Sequence, residues 1–296
     1  MTPLAITMAI ATGFILPIQS AMNTRLTASM KSNFSASFVA FLIGAIFLGV
    51  IVAVRGDAVT SSANVPWWAY TGGLCGILAL ISVIFIFPHV GAVETVVLPV
   101  GGKIISGLLI DHFGWFNSPV QHISVQRIIG GILAAAGMII AVYARGRRSH
   151  VRPRLIWRIM GILVGVYASI QAAVNGFLGA SLKAPISAGF ITYASGAVIL
   201  LLLVLVTRQW PRGYTKGPWW MWLGGPIGAI FVVGMATLQP SLGLGVTLLI
   251  VLIGQLLGSL TIDNFALFGA KKQRIGLAQV GGVLTLAIGM YVYYLW

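Results

Sequence analysis

PWWAYTGGLCG at residues 66–76 returns as PWWMWLGGPIG at residues 218–228, 152 positions further along a chain of 296. The same offset carries Gln19 and Asn23 to Gln171 and Asn175, and Lys31 to Lys183. It also carries Pro88 and Gly91 to Pro240 and Gly243, and Asp111 and Phe113 to Asp263 and Phe265. These gap-free matches run from about residue 11 to 116 and again from 163 to 268, and they mark a duplicated unit. Duplicated membrane units matter because transporters are often built from two repeats with the substrate site between them.

Composition identifies the solvent. Hydrophobic residues make up 58% of the chain, charged residues 7%, and the mean hydropathy is +1.00. No soluble domain has that balance. Four acids stand against eighteen bases. Most of the bases sit between apolar runs instead of on amphipathic faces, so they read as loop charge that orients a membrane protein, and no nucleic-acid partner is expected. Thirty-seven glycines suit closely packed transmembrane helices. The single cysteine, Cys75, excludes an intramolecular disulfide. The first apolar stretch has no basic segment before it, so it reads as a span and not as a cleaved signal.

A span needs about 20 mostly apolar residues. Candidates lie near 4–25, 34–54, 66–87, 91–110 and 124–144, then 156–177, 187–207, 218–239, 243–262 and 275–295. The fold class is therefore an all-α integral membrane protein of ten transmembrane helices. Residues 1–144 form the first five-helix repeat, 145–155 an Arg-rich linker, and 156–296 the second repeat. The runs are continuously apolar and lack the alternation of barrel strands. The third and fourth span of each half are barely separated, by His89-Val90 and by Ser241-Leu242. Five is odd, so the second repeat enters the membrane from the opposite side. Placing both termini outside puts fourteen of the eighteen bases in the cytoplasm, six of them within 145–158, and only Arg55, Arg127 and Lys183 outside. The positive-inside rule favours that arrangement. Tryptophans 67, 68, 219, 220 and 222 then mark helix entries at both interfaces.

Pro17-Ile18-Gln19 followed by Asn23, Pro66-Trp67-Trp68, Gly254-Gln255, and the pair Asp111-His112-Phe113 with Asp263-Asn264-Phe265 together carry a likeness over nearly the whole chain. The chain resembles the YdcZ-type branch of the drug/metabolite transporter superfamily, in its fused two-repeat form. The resemblance implies ten helices around a central cavity, transport by alternating access, and a tilt towards export. It implies no substrate. The family usually shows Gln after the Gly of the fourth helix of a repeat. Here Gln255 keeps it once and Lys103 replaces it in the other copy.

Polar residues inside a bilayer are site candidates because they need partners or water. Gln19 and Asn23, like Gln171 and Asn175, are four apart and share a helix face. If the first helices of the two repeats face each other, four amides converge on the cavity. Interhelical bonding, at roughly 1 kcal/mol or less per bond, is the competing role. Asymmetric residues are better specificity candidates: Lys103 opposite Gln255, and Glu94 opposite Val246. Lys103 lies about 18 Å along its helix from Gly91, where an ammonium costs roughly 2.5–3.5 kcal/mol to insert. It could bind a carboxylate or phosphate, carry a proton, or snorkel to an interface. Glu94 is the candidate coupling group for a proton or ion, against a plain headgroup-level role. Nine residues at 100° each put Glu94 and Lys103 on opposite faces. Asp111 and Asp263 are expected to be structural, as turn caps or helix partners. No nucleophile–base pair, metal cluster or phosphate loop is visible, so neither an enzyme nor a cofactor is expected.

The residues therefore point to a secondary-active transporter of a small polar or amphipathic solute, with an acidic group favoured by Lys103. It would be a multi-pass protein of a bacterial inner membrane, with monomer and homodimer both open. A passive channel, a lipid scramblase on the same repeat, or a non-transporting assembly partner are the rival classes.

Overall fold

The structure, a computed structural model, describes residues 2–60, 65–143, 154–211, 213, 215–270 and 272–295. Ten of its helices are long and apolar enough to cross a membrane. In the first repeat they are α1 (Pro3–Met30), α2 (Asn33–Arg55), α3 (Gly72–Gly91), α4 (Glu94–Phe113) and α5 (Val125–Tyr143). The second repeat has α6 (Leu155–Ser181), α7 (Pro185–Thr207), α8 (Gly224–Leu242), α9 (Leu244–Phe265) and α10 (Leu277–Tyr294). The linker arginines 145, 147, 148 and 152, with Arg212 and Lys271, lie outside the described residues.

Local chemistry explains the boundaries. The Thr2 and Ser32 side chains accept from the first turns of α1 and α2, and Pro3 opens α1 where no N–H is required. Short 3-10 turns, Trp67–Tyr70 and Trp219–Leu223, lead the tryptophan entries into α3 and α8. The duplication reaches the backbone itself. Lys31 and Lys183 both sit just past a helix at positive φ, 52 and 53, and so do Phe116 and Phe268 in their loops, at 58 and 56. The weak boundaries between third and fourth helices have a single cause. Gly91 (φ 76, ψ 174) and Gly243 (φ 80, ψ 159) make the same elbow, in a region that only glycine enters cheaply.

Two pairs of equivalent helices, α2 with α7 and α5 with α10, pack against each other and run antiparallel, as inverted repeats allow. Phe41 of α2 stacks on its own counterpart Tyr193 of α7, ring centroids 4.8 Å apart, while Gly44 faces the Tyr193 ring and Gly196 the Phe41 ring. In α5 and α10, Gly130 meets Gly289 and Gly137 meets Gly282. Two further crossings bring backbones together, as small residues allow in membranes. Gly13 of α1 lies on Val251 of α9 with Gly254 on Ile10, and Gly165 of α6 lies on Pro99 of α4 with Gly102 on Ile162. One crossing is the 152-residue image of the other.

The ends of these helices define two faces. Glu94 at the start of α4 binds Arg158 near the start of α6 through two contacts of 3.2 Å, and His89 stacks on Trp157 at 3.7 Å. These residues lie on the face where the linker joins α5 to α6, the linker face. The opposite, terminal face holds the start of α1, the end of α10, the α4–α5 loop and the Gly243 elbow.

Candidate functional site

Two adjoining chambers open on the linker half of the bundle, with Ser20 of α1 in the walls of both. The larger, about 570 Å³, lies between α1, α2 and the end of α3. The smaller, about 340 Å³, lies between α1, α5 and α9 and is lined in part by Pro17, Gln255, Ser259 and Asp263.

The same positions in the other half are shut. In the larger chamber Ser20, Thr24 and Phe87 are exposed, whereas their counterparts Ala172, Gly176 and Gln239 are buried. Val83 and Ile84 of α3 line it too, while Met235 and Ala236 of α8 are 3% and 1% exposed. In the smaller chamber Asp263 lines the wall, whereas Asp111 is 0% exposed. One fold thus holds an open half-site and a closed image of it.

Hydrogen bonds seal the closed half. Asp111 Oδ1 accepts from the Leu244 N–H (2.9 Å) and the Ser118 hydroxyl (2.8 Å), and Oδ2 accepts from the Gly245 N–H (2.8 Å). A carboxylate there also meets the positive end of the α9 dipole. The Gln239 amide donates to Ser118 Oγ at 3.0 Å, and the Gln121 amide donates to the Leu242 carbonyl at 3.3 Å. Buried Arg127 donates to both the backbone and side-chain oxygens of Gln121, and its guanidinium lies 5.1 Å from the Tyr293 ring centre. The Gly243 elbow of the second repeat is in this way fastened to the α4–α5 loop of the first. The open half cannot copy the Gln239–Ser118 bond, because Phe87 and Ala270 stand in those places.

The four amides do not converge. α1 and α6 are not packing partners, so the condition for a shared amide centre is not met. Instead each pair sits on a glycine face of the opposite repeat: Gln19 and Asn23 on Gly228 and Gly224 of α8, Gln171 and Asn175 on Gly76 and Gly72 of α3. A Cβ at Gly224 or Gly72 would collide with an asparagine oxygen. Gln19 and Asn23 also line the larger chamber. Asn175 is 1% exposed and accepts a 2.7 Å bond from Thr192, whereas buried Asn23 Oδ1 has no partner, since Ala40 replaces Thr192 there.

Gln255 lines the smaller chamber, and its Oε1 has no hydrogen-bond partner among the described residues. Lys103 lies at mid-depth of α4, where its backbone abuts Gly165. Glu94 is bound to Arg158 and not to Lys103. Asp111 acts as the cap of a neighbouring helix. Residues that single-residue inspection passed over include Ser118, Gln121 and Gln239 in the seal, and Thr24, Thr27 and Ser37 in the larger chamber. For all of these but Gln121, whose counterpart is Gln273, the signal was in the sequence, as polar side chains facing dissimilar residues 152 positions away.

Ten apolar helices in two inverted repeats, with chambers opening on the linker half, define a multi-pass membrane protein. A sequence family described as "Putative inner membrane exporter, YdcZ" matches residues 4–140 and again 156–292, once per repeat. The chain belongs to that family of inner membrane transporters. It is 26% identical over 143 residues to "Inner membrane protein YdcZ" of Escherichia coli (strain K12), a match that takes 47% of this chain and 93% of the relative. A solved crystal structure superposes with a TM-score of 0.73 at 16% identity, covering 98% of this chain and 94% of that one, which shows the fold.

Proposed function

We propose that the chain is a secondary-active exporter that moves a small polar or amphipathic solute across the inner membrane by alternating access. The supporting observation is the pairing of an open chamber with its closed image. Exchanging the conformations of the two repeats would close the linker face and open the terminal face around the same central residues. Lys103 would then take the wall position that Gln255 holds now. The described bases Arg25, Lys31, Arg154, Arg158, Arg208, Lys216, Lys272 and Arg274 support placing the linker face in the cytoplasm and both termini in the periplasm. The chamber as seen would therefore load from the cytoplasm.

The test starts from any solute found by thermal-shift screening, with the protein in proteoliposomes and Cys75→Ala as background. Flux is expected to saturate, to show counterflow, and to stop when Ser118→Cys and Gln239→Cys are bridged by a short bifunctional thiol reagent. Flux that never saturates, or that survives the bridge, would indicate a channel or scramblase.

A further inference from the structure

Among the described residues, no charged side chain lines the larger chamber. Its α1 wall carries Ser20, Thr24 and Thr27, at spacings of four and three that share a helix face, and its α2 wall carries Asn33 and Ser37. The facing α3 wall is apolar and ends on the Phe87 ring and Pro88. In the second repeat the five polar positions read Ala172, Gly176, Gly179, Pro185 and Gly189. Small residues there serve helix packing. The first repeat has hydroxyls and an amide instead, along an open chamber. The amide pairs are common to both repeats and belong to the architecture. These five side chains belong to one repeat only, and architecture does not require them.

Headgroup solvation does not account for the whole strip. Ser20 lies ten residues from Met30, the last residue of α1, about 15 Å along the axis. The Ser20 and Thr24 hydroxyls donate to the Leu16 and Ser20 carbonyls at 3.0 and 2.7 Å, which leaves their lone pairs free to accept. Thr27, Asn33 and Ser37 have no side-chain hydrogen-bond partner among the described residues, and they can donate and accept. We infer that the larger chamber binds an uncharged, hydroxyl-rich solute with one apolar edge, the hydroxyls against α1 and α2 and the edge against Phe87. This rests on the transport reading above and departs from the acidic solute that Lys103 suggested, because Lys103 is not part of this wall. An ion held among neutral groups has no partner to offset its desolvation, whereas a hydroxyl both gives and takes hydrogen bonds there.

Three probes of one ring size separate the possibilities: methyl glucoside, glucuronate and glucosamine. Each is assayed for binding to the purified full chain by calorimetry and for flux in proteoliposomes. The neutral glycoside is expected to bind saturably and the two charged analogues not to. Ser20→Ala, Thr27→Val and Ser37→Ala should each weaken it about 3–10-fold, the effect of one hydrogen bond, while Thr285→Ala on α10 leaves it unchanged. Preference for glucosamine would shift recognition to Asp263 in the smaller chamber, and preference for glucuronate would shift it to Lys103. Either result, or no binding by any probe, overturns the inference. Binding of the glycoside without flux would support the inference and remove the transport reading instead.

Discussion

Asp111→Ala is expected to lower the stability of the folded protein by roughly 3 kcal/mol and to loosen the terminal face. The carboxylate accepts from two backbone N–H groups at the start of α9 and from the Ser118 hydroxyl, all in a buried setting. Each buried donor left without a partner costs about 1–3 kcal/mol. Asp111→Asn keeps one acceptor oxygen but turns an NH₂ towards one of those N–H groups, so its loss should be smaller than that of alanine without vanishing. Thermal unfolding in detergent reads the first effect. Reactivity of Ala172→Cys, a buried position in the closed half, reads the second and should rise. An alanine variant as stable as the parent, with Ala172→Cys still silent, would show that the seal lies elsewhere.

Gly102→Ala and Gly254→Ala are expected to be nearly as damaging as each other, since they are images of one crossing. At Gly102 a Cβ would collide with the Ile162 carbonyl, and at Gly254 with the Ile10 carbonyl. Both obstacles are backbone, so no side-chain rotation relieves them, and α4 must move off α6 or α1 off α9. Overpacking of this kind costs typically 1–3 kcal/mol, occasionally more. Gly101→Ala and Gly281→Ala supply the contrast, because nothing lies within 4 Å of a Cβ at either position. The measurement is the yield of monodisperse protein and its unfolding temperature. Equal tolerance at Gly101 and Gly102 would contradict the packing described here.

Much of this was legible in the sequence for a physical reason. Bilayers require continuous apolar helices, so the ten spans and their weak third-to-fourth boundaries could be read directly, and the elbows turned out to be the duplicated glycines 91 and 243. The repeat offset and the odd span count together required inversion. Partner choice between helices was not legible. Four amides on two first helices suggested one meeting point, but Gln19, Asn23, Gln171 and Asn175 follow the Gly-Gly-x-x-Gly faces of α8 and α3. Charge also drew attention away from the chamber. Lys103 and Glu94 broke the symmetry most visibly, yet the neutral strip on α1 and α2 breaks it at five positions and lines the open space. Uncharged residues of that kind stand out only when the two halves are compared position by position.

Ser20 and Ala172 are the same position in the two repeats, and they carry the central claim between them. In a Cys75→Ala background, a membrane-impermeant maleimide should modify Ser20→Cys only from the cytoplasmic side. Ala172→Cys should react only from the periplasmic side, and only when the Ser118–Gln239 bridge is absent. Both cysteines reacting from one side, or one cysteine reacting from both, would contradict an inverted pair of half-sites that open in turn.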